Sequence, residues 1–95
     1  QAVNAGVAAY LGRDYEKAIG FWLPAASRGN ADAQFFVAGL YLDGNGVTRD
    51  LIQSHIWFAR SAGQGHQRAA EQLDLLRKIM TQAQFNEADR RRTAE

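Results

Sequence analysis

The sequence predicts an all-α domain, an α-solenoid of antiparallel helix pairs with about six helices. The first reason is an internal repeat. Phe21 to Gln34, FWLPAASRGNADAQ, returns as Trp57 to Ala70, WFARSAGQGHQRAA, a shift of 36 residues (57 − 21). Under that shift Ala18 falls on Ser54, Ala25 on Ser61, Ala26 on Ala62, Gly29 on Gly65, Ala33 on Ala69 and Asp14 on Asp50, and the aromatic pair keeps its positions with the order swapped. A period of this length marks stacked helical units. The second reason is that apolar residues recur at three- and four-residue spacing, with no stretch of strand-like alternation. The third is the shortness of the connections, which makes consecutive helices antiparallel neighbours.

The first helix is expected over Gln1 to Leu11, with Ala2, Val3, Gly6, Val7 and Tyr10 on one face, and Gly12-Arg13 ends it. Asp14 is the N-cap of the second, since its carboxylate can accept a free amide of the first turn. That helix is expected to reach Arg28 and to end on Gly29, burying Tyr15, Ala18, Ile19, Trp22, Ala25 and Ala26. Pro24 inside it removes one hydrogen bond and crowds the carbonyl of Gly20, so one kinked helix is expected. Asn30 caps the third helix, Ala31 to about Leu42, whose core stripe is Ala33, Val37, Leu40 and Tyr41; the adjacent Phe35 and Phe36 are expected to point to different sides. Asp43-Gly44-Asn45-Gly46 is a turn. Asp50, with Gln53, caps the fourth helix, which buries Ile52, Ile56, Trp57, Ala59 and Ala62 and stops at Gly63 to Gly65. The fifth, His66 to about Met80, is expected to bury Ala69, Ala70, Leu73, Leu76 and Ile79. Thr81 and Gln84 form a capping box for a sixth, Gln82 to about Arg92, polar except for Ala83, Phe85 and Ala88 and so suited to close the stack. The chain divides into a first repeat (1–29), a second (30–65) and a partial repeat with a capping helix (66–95).

Ninety-five residues make one domain or part of one, and 46% hydrophobic residues give a globular composition. The absence of cysteine excludes a disulfide scaffold and thiolate metal sites. A net charge of +1 and a pI near 8.4 do not call for nucleic acid or an anionic membrane as partner. No apolar run is long enough for membrane insertion. No signal peptide is read within the chain, which begins at Gln1 without methionine. The expectation is that a signal peptide, a tag or the rest of a longer protein preceded it.

The phrases AAYLGRDYEKAIGFW, AASRGNADAQFFVAGLYLDGNGVTRD and WFARSAGQGHQRAA resemble Sel-one-like repeats, relatives of tetratricopeptide repeats. The second repeat carries most of the pattern in Ala33, Gln34, Tyr41, Gly44, Gly46, Val47, Asp50, Trp57 and Gly65, and MTQAQFNEA resembles the closing helix of that family. Ala38 stands where the family usually has glycine, Ser54 and Ser61 where it usually has alanine, and Gly12-Arg13 replaces the longer Gly44 to Thr48 loop. The missing cysteines exclude the cysteine-rich branch. The resemblance implies a right-handed superhelix acting as an adaptor or scaffold for other proteins, with no reaction, no catalytic residues and no cofactor. It also tilts an otherwise unknown localisation towards bacterial export or the periplasm.

His55 and His66 have no second ligand at helical spacing, so no metal site is expected. His66 takes the place of Asn30 and suits a cap. Gly44-Asn45-Gly46 follows a helix and not a strand, which argues against a phosphate loop. Arg90, Arg91 and Arg92 spread around a helix end, flanked by Glu87, Asp89 and Glu95, as a solvated terminus. Trp22, Trp57, Phe21 and Phe58 are read as core, and Ser27, Ser54 and Ser61 lack the context of a nucleophile. In stacked helical hairpins the first helix of each pair lines the concave face. The positions of the third helix outside its core stripe are Asp32, Phe36, Gly39 and Asp43, and those opposite on the fifth are Arg68 and Gln72, continuing towards Leu75 and Ile79. These are the expected contacts for a protein or peptide partner, with Phe36 as the anchor. The alternative is a structural spacer or self-associating end of a longer array, monomeric or weakly associating through an N-terminal face of Ala2, Val3 and Val7.

Overall fold

The computed structural model describes residues 2–94; Gln1, the expected first residue of the first helix, and Glu95, the last of the charges flanking the arginines, lie outside the described residues. Six helices follow one another: α1 (Ala2–Leu11), α2 (Tyr15–Ser27), α3 (Ala31–Asp43), α4 (Leu51–Gly63), α5 (Gln67–Arg77) and α6 (Gln82–Ala94). Among the described residues there is no strand. The chain is an all-α helical repeat solenoid, 35 Å along its longest axis and 24 and 23 Å across.

The helix starts follow from short polar side chains that satisfy free amides. The Asp14 carboxylate accepts from Lys17 N at 3.2 Å, Asn30 Oδ1 from Ala33 N at 2.9 Å, and Asp50 Oδ1 from Ile52 N and Gln53 N at 3.0 and 3.1 Å. His66 caps α5 through Nδ1, which accepts from Ala69 N at 3.1 Å. Thr81 and Gln84 close a reciprocal capping box, each side chain accepting from the amide of the other. Gly29 and Gly65 both have positive φ (99° and 88°) at repeat-equivalent helix ends. α2 runs through Pro24 as one helix.

Packing proceeds along the chain: α1 on α2, α2 on α3, α3 on α4, and α4 on α5. The expected zigzag changes at the end, because the principal neighbour of α6 is α4 and not α5. The apolar residues of α6 explain this. Ala88 is fully buried, and the Phe85 ring meets His55 of α4 edge to face at 5.0 Å.

The core contains Ala18, Trp22, Ala25, Ala26, Ala33, Val37, Leu40, Trp57, Leu73 and Leu76, matching the helical stripes, and Phe58, which the stripe of α4 omitted; Phe21, read as core, is only half-buried and lies outside it. Several residues depart from the expected pattern. Ala70 is exposed and Ile79 is 56% exposed, since α5 ends at Arg77, short of the expected Met80, and Ile79 lies in the turn beyond it. Ala38, Gln34, Ser54, His55 and Ser61 are buried although the stripes omitted them. Burial of the polar members has a hydrogen-bonding basis. Ser54 Oγ donates to Ala38 O and Ser61 Oγ to Ala31 O, both at 2.8 Å, tying α4 to α3 at the two positions where the first repeat has alanine. Gln34 Nε2 donates to Ala26 O at 3.1 Å, while its Oε1 accepts from Gln64 Nε2 at 2.9 Å. One side chain thus joins the ends of α2 and α4 across α3.

Candidate functional site

The first helices of the hairpins, α1, α3 and α5, frame a groove of about 390 Å³. That volume lies in the range of pockets that take a small ligand or a few side chains. Its walls carry Val7 and Tyr10 from α1, Phe35, Phe36, Gly39 and Asp43 from α3, and Arg68 and Gln72 from α5, with Trp22 and Phe58 reaching it from beneath. Of the residues expected on the concave face, Phe36, Gly39, Asp43, Arg68 and Gln72 therefore line one cavity. Asp32 does not. Its Oδ1 lies 3.0 Å from His66 Nε2, outside the groove lining. Since His66 Nδ1 accepts from the Ala69 amide, the ring proton sits on Nε2 and is donated to Asp32. The expected continuation to Leu75 and Ile79 does not line the groove; both are exposed, at 54% and 56%.

The floor is aromatic. Trp22 stacks on Phe36 with centroids 4.7 Å apart, Tyr10 lies 5.8 Å from Trp22, and Phe35 meets Phe36 at 5.7 Å and Phe58 at 5.8 Å. Phe35 and Phe36 thus share one groove, contrary to the expectation that they point apart, because rings on neighbouring helical positions are large enough to touch. On its other side Phe35 stacks against His66 at 4.8 Å and carries the Arg68 guanidinium 5.0 Å from its centroid. This arrangement fixes Arg68 as a cation over a π-face. Phe36 is partly buried and packed on the core, which corrects its reading as a side chain the core does not need. Gly39 leaves the middle of the groove open, since a Cβ placed there would meet nothing within 4 Å.

Sequence reasoning did not assign Tyr10, Trp22 or Phe35 to the groove. For Tyr10 and Phe35 the available signal was the recurrence of aromatics on the first helices α1 and α3, but apolar periodicity cannot separate a side chain that fills the core, as Trp22 of α2 does, from one that also surfaces in a groove. The N-terminal face also differs from expectation. Val3 and Val7 pack on the core, and Val3 O accepts from Trp22 Nε1 at 3.0 Å.

Elsewhere the chemistry is sparse. Among the described residues no three His, Cys, Asp or Glu side chains come together, and no helix is long and apolar enough to cross a membrane. On α6, Glu87 accepts from Arg90 and Arg91, and Arg92 pairs with Asp89 at 2.9 Å. The hydrogen bonds from Arg90 and Arg91 hold the Glu87 carboxyl below its ordinary value.

Stacked helical hairpins with a groove along their first helices define a helical repeat protein. A family model for the Sel1 repeat matches residues 5–30 and 31–66, and the chain belongs to the Sel1 repeat family. Sel1 repeats are generally protein–protein interaction modules and typically non-catalytic. Comparison with curated proteins and with solved structures gives no match.

Proposed function

We propose that this chain is a non-catalytic adaptor that holds a segment of a protein partner in the groove between α1, α3 and α5. The observation that carries the reading is the aromatic floor opened by Gly39: Trp22, Phe36 and Phe35 form apolar walls around a position with no side chain. Such a depression accepts an apolar side chain from outside, the usual anchor of a protein contact. Ser54 and Ser61, the buried hydroxyls, are engaged with helix carbonyls, which leaves them without the role of nucleophile in this reading.

The test is photo-crosslinking from the groove's edge and from an open position elsewhere. p-Benzoylphenylalanine at position 72 sits on the edge of the groove and leaves the opening at Gly39 free; the same residue at position 20, exposed on α2 with nothing within 4 Å, serves as the control. Light-dependent protein adducts in extracts of the native host are expected from position 72 and not from position 20. Equal labelling at both would remove the groove from consideration. A second reading, self-association, has one observation behind it: Leu75 near the end of α5 and Ile79 in the turn beyond it are both exposed. Light scattering at rising concentration checks it, and a constant monomer mass excludes it.

A further inference from the structure

We infer that the groove has a charge polarity, and that it selects a partner segment in which an apolar anchor lies between an acidic and a basic side chain. The inference rests on the groove being the binding site. Asp43 and Arg68 both line it, and neither has an ion-pair partner among the described residues. Both also stand at the wrong ends of their helices. Asp43 is the last residue of α3, facing the negative end of the helix dipole, and Arg68 is the second residue of α5, at the positive end. A charge so placed disfavours its own helix. Glu16 and Asp32 in first turns and Arg60 and Arg77 in last turns follow the dipole, and Lys17, in the first turn of α2, is a further exception. The dipole therefore does not account for Asp43 or Arg68; the Phe35 ring positions the Arg68 guanidinium, and a ligand bearing the two opposite charges would pair with both.

The spacing sets the size of that ligand. The start of α5 lies beside the start of α3, with His66 on Asp32 and Arg68 over Phe35, and Gln72 shares the groove with Gly39 and Asp43 further along. Asp43 is eight residues further along (43 − 35), about 12 Å of helical rise. An extended chain covers that distance in about four residues. Its acidic side chain meets the guanidinium of Arg68 and its basic side chain the carboxylate of Asp43. Between them a leucine or aromatic side chain enters the space above Gly39 and Phe36. Gln72 offers an amide to the main chain of the bound segment. Oppositely charged ends fix register and orientation more than they add affinity.

The test is selection of a phage-displayed random twelve-residue peptide library on the wild-type domain, followed by titration of one enriched peptide. Enriched peptides are expected to carry an acidic and a basic residue about four positions apart around an apolar one. Changing the acid of that peptide to lysine is expected to weaken it about tenfold or more on the wild type, with recovery on the Arg68→Glu variant, and Asp43→Lys should do the same for the basic residue. Circular dichroism melts of each variant confirm folding at these exposed positions. Peptides that lose binding to Gly39→Leu yet ignore both charge reversals would overturn the polarity and leave the groove reading standing. Peptides that bind Gly39→Leu as well as wild type would overturn the groove reading itself, and failure to enrich any peptide would overturn both.

Discussion

A hydrogen atom in place of a methyl group at position 6 decides how closely α1 can lie on α2. A Cβ at Gly6 would fall 2.6 Å from Trp22 Cε2 and nearer still to Nε1, where the indole has no room to withdraw because it is 2% exposed and bonded to Val3 O. Gly6→Ala gains at most about 1 kcal/mol in helix propensity. Overpacking against a rigid ring costs about 1–3 kcal/mol. The overlap is deep enough that the second effect wins, and a fall in melting temperature of several degrees is expected, since about 1 kcal/mol moves a domain of this size by about 4–8 °C. An unchanged or raised melting temperature would show that α1 can slide away from Trp22 at little cost. Ser54 and Ser61 act differently at the same scale. Each donates to a helix carbonyl, so these small polar residues are buried without an unsatisfied hydroxyl.

Among the elements, α6 has the least conventional seat, and His55 beneath it gives that seat a dependence on pH. His55 is 3% exposed, and neither ring nitrogen finds a hydrogen-bond partner among the described residues. Burial first, then the positive charges of Arg77 on α5 and Arg92 on α6, hold its pKa below the usual histidine value, with Asp89 opposing. Below about pH 6.5 the unfolded chain takes up a proton at this residue that the folded chain resists, so stability falls as pH falls through that range. His55→Leu removes an unsatisfied buried group at similar volume. It should leave the domain as stable or more so at pH 7.5 and lessen the loss on going to pH 5. Parallel melts of the two proteins at both pH values check this, and an equal acid loss in both would free His55 of the role. This seat was not legible in the sequence, whereas the helix starts were. Asp14, Asn30, Asp50 and the Thr81–Gln84 box act over three residues, and local chemistry of that range is written in local sequence. The burial of His55 depends on which side α6 chooses, and the exposure of Ile79 on where α5 stops. Both are settled by contacts between distant residues. The same holds for the groove: spacing brought Phe36, Gly39, Asp43, Arg68 and Gln72 to one face, but the stacking of Phe36 on Trp22 is a tertiary fact.

At the scale of the whole molecule, the aromatic rings that join the hairpins also floor the groove, so binding and stability share residues. Phe36 shows the consequence. It stacks on Trp22 at 4.7 Å and is packed on the core, so Phe36→Ala is expected to cost about 1–3 kcal/mol of stability, less than a fully buried phenylalanine, as well as an apolar wall of the site. A loss of binding in that variant alone cannot separate a damaged groove from a loosened fold. Gly39 separates them. Its helical backbone needs no positive φ, a Cβ there meets nothing within 4 Å, and replacing a helical glycine with leucine favours the helix by up to about 1 kcal/mol. The added side chain occupies the opening between Phe36, Asp43 and Gln72 that a partner would enter. Gly39→Leu should therefore melt at or above the wild-type temperature while binding a wild-type-selected peptide at least about tenfold more weakly. Phe36→Ala should lose in both measurements. Melting curves and fluorescence titrations on the two variants, run beside the parent, give the comparison. Wild-type binding by a folded Gly39→Leu domain would place the partner on another face, and a Gly39→Leu domain that fails to fold would show that α3 packs more tightly there than the open space at Gly39 implies.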